Sequence, residues 1–164
     1  MAEEAKTNAV QREDLPLSKA ALYILEECRM VLPGIQALFG FQLIAVFNQG
    51  FSEKLSAGEQ RLHLLAIMLL AIAIALIMTP AAYHRQTGPQ EVTSGFIRLA
   101  SRLLLASMAP LAVSICIDFY LVGHVIYDGF LVPLLAALLF ATIITLWFVL
   151  PRVRSLMRAD SRRR

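Results

Sequence analysis

The chain has 164 residues, 58% of them hydrophobic and 16% charged, with a mean hydropathy of +0.65. A soluble domain carries roughly 45–50% apolar and about 25% charged residues, and a short chain has too much surface to hide such an excess in one core. This excludes a soluble globular enzyme, a disordered chain and a disulfide-stapled scaffold, and predicts an all-α integral membrane protein.

Residues 1–14 are polar and predicted to be a disordered tail. Asp14 is placed to cap a helix with Pro16 in its first turn. Leu17, Ala21, Ile24, Leu25 and Cys28 then recur at helical spacing. They read either as an amphipathic helix on the cytoplasmic surface or as an inward extension of the first span. From Met30 to Ser52 there is no acid, lysine or arginine, which predicts a span over about 30–51, kinked near Pro33-Gly34. Ser56-Ala57-Gly58-Glu59 fits a capping box that starts a second span over about 60–83.

Pro89 suits a first helical turn, so the third helix is expected to begin near Gln90 and to span about 100–122, with Pro110 and Asp118 inside it. Gly123 and Asp128-Gly129 are turn signals. The stretch 129–150 has no ionisable side chain and makes a fourth span, followed by a basic tail over 151–164. About 20 residues of helix cross roughly 30 Å of hydrocarbon. Strands are excluded, because Leu64–Leu70 does not alternate apolar with polar.

Thirteen of the 15 lysines and arginines lie in the first 29 residues, in the 80–102 connection or in the tail; Lys54 and Arg61 are the exceptions. The positive-inside rule then puts both termini in the cytoplasm. No signal peptide is visible in the first 29 residues. The arginine-rich tail reads as a topology signal and a contact for anionic lipid, at about 1 kcal/mol per basic residue near the surface. Nucleic acid is not expected as a partner, because no interleaved aromatics accompany the tail. Cys28 and Cys116 fall at different membrane depths, beyond the roughly 7 Å Cα separation a disulfide allows. Cys28 reads as a buried thiol, with palmitoylation as the alternative.

Ionisable groups at depth cost roughly 2.5–3.5 kcal/mol, so the polar side chains within spans are the candidate site. Asp118 is the one acid inside a span, and Ser107, Ser114 and Asp118 share a helical face. Gln36, Gln42, Asn48 and Gln49 come from span one, with Gln42/Gln49 and Arg29/Gln36 each sharing a face; Thr142 and Thr145 come from span four. Gln42, Ser114 and Asp118 lie near mid-bilayer or just outward of it, with His63 and His124 at the outer level. Two readings follow. One is interhelical hydrogen bonding, worth about 0.6 kcal/mol per bond. The other is a proton or cation pathway in which Asp118 titrates and His63 or His124 relays. A metal site from His63, Asp118, His124 and Asp128 is not expected, since no pair has ligand spacing.

At the cytoplasmic face Glu26, Glu27, Arg29, His84, Arg85, Arg98 and Arg102 read as a ring of ion pairs, or as an anionic headgroup pocket of Arg85, Arg98 and Arg102. Ala71/Ala75 and Ala137/Ala141 are small pairs suited to close helix contact. No glycine-rich phosphate loop and no GxSxG, HExxH or CxxC motif appears, no cofactor is implied, and the chain is not expected to be an enzyme.

The run Leu25-Glu26-Glu27-Cys28-Arg29, then Gly34 to Leu43, Phe47 and Phe51, with Thr79-Pro80-Ala81-Ala82-Tyr83-His84-Arg85, resembles a domain-of-unknown-function family of small bacterial four-span membrane proteins. The resemblance covers roughly residues 22–150. Pro33 stands where a polar residue is expected in many relatives. The resemblance implies a bacterial inner-membrane location and no assigned activity. Its matching positions, Glu26, Arg29, Gly34, Gln36, Pro80, His84 and Arg85, fall mostly on the cytoplasmic half. The sequence therefore predicts a non-enzymatic membrane module that self-associates or assembles with a membrane partner. The rival is a small proton or cation pathway through an oligomer. A hydrated column of Gln36, Gln42, Ser114 and Asp118 favours the rival, and a dry, tightly packed interior with an exposed Ala71/Ala75 face favours the module.

Overall fold

The computed structural model describes residues 16–87 and 93–154. Helix α1 runs over Leu17–Ala45, the short α2 over Gln49–Lys54, α3 over Ala57–Thr87, α4 over Ser94–Ile126 and α5 over Leu131–Ile144. A π-helical turn, Thr145–Val149, follows α5 and helix continues to Arg154. Among the described residues there is no strand. Four helices are long and apolar enough to cross a membrane: Leu17–Ala45, Ala57–Gln86, Ser94–Ile126 and Leu131–Arg154. α2 and the α4–α5 turn lie at one end of the bundle, the α2 end; the start of α1, the last turns of α3 and the first turn of α4 lie at the opposite, terminal end.

Buried positions follow a seven-residue repeat. On α1 they are Ala21, Cys28, Ile35 and Gln42. On α3 they are His63, Ala66, Leu70, Ala73, Ile77 and Pro80, in alternating steps of three and four. On α4, Ala100, Ser107, Ser114 and Leu121 recur every seven. A strict heptad keeps one seam facing its neighbours when helices wrap with a left-handed twist. Small residues on that seam, Ala66, Ala73, Ala100 and Ser114, let the backbones approach closely. α3 and α4 form the most extensive pair, and α1 packs on both. Cys28, Ile35, Leu70 and Ile77 make the middle of the core; Ala21, Phe96 and Ala100 make its terminal end.

The uncharged stretch 30–51 is not one helix. α1 ends at Ala45, and Asn48 turns to extended backbone so that its side chain accepts from the Gly50 N–H at 3.0 Å and starts α2. Gln49 therefore sits on α2 and shares no face with Gln42. At the other end there is no separate amphipathic helix: Leu17 to Arg29 is the first part of α1. Pro33, Pro80 and Pro110 all lie inside helices, and none of those helices is interrupted. Asp14, Pro89 and Gln90 lie outside the described residues, as do the tail 1–14 and residues 155–164; α1 starts after Pro16, with no side-chain cap.

The capping box forms as its sequence requires. Ser56 N–H and Oγ both donate to the Glu59 carboxylate, at 2.8 and 2.7 Å, and the Glu59 N–H points back to Ser56 Oγ at 3.4 Å. Thr93 caps α4 by accepting from the Phe96 N–H. Asp128-Gly129 is the turn before α5, but Gly123 is not a turn residue: it lies within α4. A Cβ at Gly123 would fall 2.8 Å from Val132 Cγ1, so the absent side chain lets α5 approach α4. α5 packs along α4 and turns most of its apolar surface outward, as a helix in hydrocarbon does.

Candidate functional site

Three helices bring polar side chains to one buried point toward the α2 end. Gln42 on α1 is 4% exposed, Ser114 on α4 is fully buried, and His63 on α3 is 6% exposed. Ser114 Oγ donates to the Ala66 carbonyl at 2.9 Å, so its lone pairs are free to accept. Gln42 Nε2 donates to Ser114 Oγ at 3.1 Å and to Asp118 Oδ2 at 2.6 Å. His63 Nε2 lies 3.0 Å from the Gln42 carbonyl. A carbonyl carries no hydrogen, so that nitrogen bears the proton.

The remaining ring nitrogen, His63 Nδ1, faces Asp118 Oδ1 across 3.8 Å, too far for a direct hydrogen bond. Gln42 Oε1 is buried without a partner. The cluster thus has more acceptors than donors. Phe51 of α2 covers His63 edge-on, with ring centroids 5.1 Å apart.

Above this floor is a groove of about 470 Å³. Gln42, His63 and Asp118 line it together with Leu38, Phe41, Leu121, Val122, Val125 and Ile126, and α2 contributes Phe51 and Lys54. Phe41, Val122 and Ile126 also belong to the exposed outer surface, so the groove opens sideways on the lipid-facing flank.

His124 does not join this cluster. Its Nε2 lies 3.2 Å from Glu59 Oε1, its Nδ1 lies 3.7 Å from Asp128 Oδ1, and its ring stacks on Tyr120. This pair ties the start of α3 to the end of α4. The four groups His63, Asp118, His124 and Asp128 are thereby divided between two places; among the described residues no group of three or more His, Cys, Asp or Glu gathers to hold a metal.

Toward the terminal end the polar chain stops. Ser107 is buried but donates to the Leu104 carbonyl of its own helix at 2.7 Å. Gln36 is exposed on the outer face of α1, so it does not continue a column with Gln42. Thr142 and Thr145 bond carbonyls of their own helix, Leu138 and Ala141. Among the described residues no ion pair joins Glu26, Glu27, Arg29, Arg85, Arg98 and Arg102, all of which are exposed, so the expected ring does not form. His84 instead lies against Phe96, 5.5 Å between ring centroids, and Tyr83 stacks on the same ring. Ala71 is half-buried and Ala75 exposed, and Ala137 and Ala141 face outward. Cys28 and Cys116 are free thiols.

A family model matches residues 16–151. The chain belongs to DUF6328, a family of unknown function. The match takes in the four long helices, the polar cluster and every residue that lines the groove. The match agrees with the expectation that the chain belongs to a domain-of-unknown-function family. No curated protein and no solved structure matches the chain.

Sequence reasoning missed Phe51, Lys54 and the Glu59–His124 pair as parts of the α2 end. Asn48-x-Gly50, a helix-start pattern, was the available signal that α2 folds back there. Nothing local marks Glu59 for His124, because 65 residues separate them.

Proposed function

We propose that this member of DUF6328 is a non-enzymatic module of the bacterial inner membrane that assembles with an amphipathic partner molecule in the groove at the α2 end. The observation that carries this reading is the groove itself. Its walls are apolar, its floor is the Gln42–His63–Asp118 cluster, and it opens on the lipid-facing flank. Apolar walls with a few convergent polar groups suit a ligand that has a hydrocarbon body and a polar head. The chain crosses four times with both termini cytoplasmic, because lysine and arginine concentrate at the terminal end. The groove then opens toward the outer leaflet.

A proton or cation pathway is the weaker reading. It draws support from the His63–Asp118 approach of 3.8 Å. Against it, the seam beyond Ser107 is lined by Ala73, Ile77, Ala100 and Phe96, which offer no side-chain relay.

Native mass measurement of the chain in mild detergent tests the module. The wild type is expected to retain a bound amphiphile, and the same spectrum reads any second copy. Val122→Trp, which fills the groove, is expected to lose the bound mass, while Leu138→Trp on the outward face of α5 keeps it. A bare chain in every spectrum contradicts the proposal.

A further inference from the structure

We infer that the groove holds the headgroup of a phospholipid with a primary ammonium, the ammonium seated between Asp118 and His63 and the phosphate against Lys54. The inference rests on the groove being a ligand site, and adds the chemistry of the head.

The donor and acceptor count points to it. The proton of His63 is committed at Nε2 to the Gln42 carbonyl, which leaves Nδ1 a bare acceptor in the neutral ring. Asp118 Oδ1 receives no hydrogen bond, since Gln42 Nε2 serves Oδ2. Two acceptors on groove-lining residues of α3 and α4 therefore stand without a donor, and the buried Gln42 Oε1 of α1 is unpartnered as well. Gln42 Oε1 is unmet at a cost of roughly 1–3 kcal/mol, while Nδ1 and Oδ1 belong to groove-lining residues and wait for a donor, so the site favours a ligand that brings hydrogens.

A primary ammonium is three donors and no acceptor, with a positive charge for the Asp118 carboxylate. Two of the acceptors, Nδ1 and Oδ1, stand 3.8 Å apart, and a nitrogen at about 2.8 Å from each fits at the apex of that triangle. The Gln42 amide keeps its bonds to Ser114 and Asp118 and holds the carboxylate in place. A hydroxyl head brings one hydrogen and no charge. A quaternary ammonium brings charge and no N–H at all.

The rest of the groove matches the rest of such a lipid. Lys54 lines the groove from α2, next to the helix-free residue Leu55, and gives the phosphate a cation. The acidic floor and basic rim thus complement a zwitterion. Phe41, Val122 and Ile126 border the sideways opening, where an acyl chain leaves toward the bilayer.

The test is a titration of the delipidated full chain in mild detergent, read as bound fraction by native mass spectrometry. The probes are phosphatidylethanolamine, its N-methyl and N,N-dimethyl forms, phosphatidylcholine and phosphatidylglycerol of the same acyl chains. Affinity is expected to fall stepwise as N–H groups are replaced by methyl, by at least about fivefold from ethanolamine to choline, a difference of about 1 kcal/mol. Phosphatidylglycerol is expected to bind no better than choline. Asp118→Asn keeps an acceptor for Gln42 Nε2 and should bring ethanolamine down to the choline level. Lys54→Gln should weaken all the zwitterionic lipids together.

Equal affinity along the methyl series, or a preference for glycerol, overturns the headgroup assignment. Should Val122→Trp still abolish that equal binding, the groove stands and the chemistry of the head is wrong. Binding that survives Val122→Trp unchanged ends the groove reading as well. The methyl series uses the wild-type chain, so it decides the matter even where a variant fails to fold.

Discussion

Gln42 and Asp118, 76 residues apart in the chain, meet at 2.6 Å through amide and carboxylate. The contact joins α1 to α4 and, with the Ser114–Ala66 bond, also to α3. Each bond crosses between helices in a setting where the helices gain little from the hydrophobic effect. The polar cluster is therefore both the fastening of three helices at the α2 end and the floor of the groove.

Ser114 serves as donor to one helix and acceptor for another. Ser114→Ala removes both bonds and leaves the Ala66 carbonyl without its second partner. At about 0.6 kcal/mol per interhelical bond, the variant should lose roughly 1 kcal/mol. Ser114→Leu should lose more, because the position is fully buried and has no room for a larger side chain. Titration with a denaturing detergent, followed by circular dichroism, reads both.

Gly123 is kept small by Val132. Gly123→Ala would put Cβ 2.8 Å from Val132 Cγ1, at the end of a stiff β-branched side chain. A loss of about 1–3 kcal/mol is expected. Val132→Ala in the same chain should recover much of it, so the double variant costs less than the sum of the singles. The same unfolding measurement tests this, and strict additivity would show that the two residues do not touch.

Ser56 and Glu59 hold the first turn of α3. Ser56→Ala should cost about 1 kcal/mol. The effect is local, so amide hydrogen exchange at Glu59 and Gln60 should accelerate while that at Leu70 stays protected. Uniform acceleration along α3 would contradict a capping role.

Much of the architecture was legible because hydrocarbon selects for it. Charge-free stretches long enough to cross are visible by eye, and the Ser56–Glu59 box marks its own helix start. Gln42, Ser114 and Asp118 were predicted at compatible depths, and they do meet. What failed was the inward face of α1. The frame Arg29/Gln36 lies one residue off the buried frame of Cys28, Ile35 and Gln42, and Gln49, which would continue that buried frame, falls on α2 because α1 ends at Ala45. In a lipid-facing helix the outer side is apolar too, so hydropathy cannot tell seam from surface. The break at Val46 was hidden for a related reason: no charge interrupts 30–51, and the cap lies in the single residue Asn48. The Glu59–His124 pair depends on two helix ends meeting, which no local pattern encodes.

Orientation has its own test. With Cys28→Ala and Cys116→Ala in place, Ser52→Cys on α2 should react with an impermeant maleimide in intact cells. Arg154→Cys should react only after the membrane is opened. The reverse pattern would invert the bundle and put the groove on the cytoplasmic leaflet.

The central claim is that the polar floor lies under a groove reached by lipid, and fluorescence quenching reads it most directly. The chain has one tryptophan, so Trp147→Phe with Phe51→Trp sets a single reporter in the groove wall. In vesicles with brominated acyl chains, strong quenching is predicted for that reporter and weak quenching for a Ser52→Trp reporter on the exposed side of α2. Quenching at residue 51 no stronger than at residue 52 would mean that no lipid chain enters the groove, and would contradict the account.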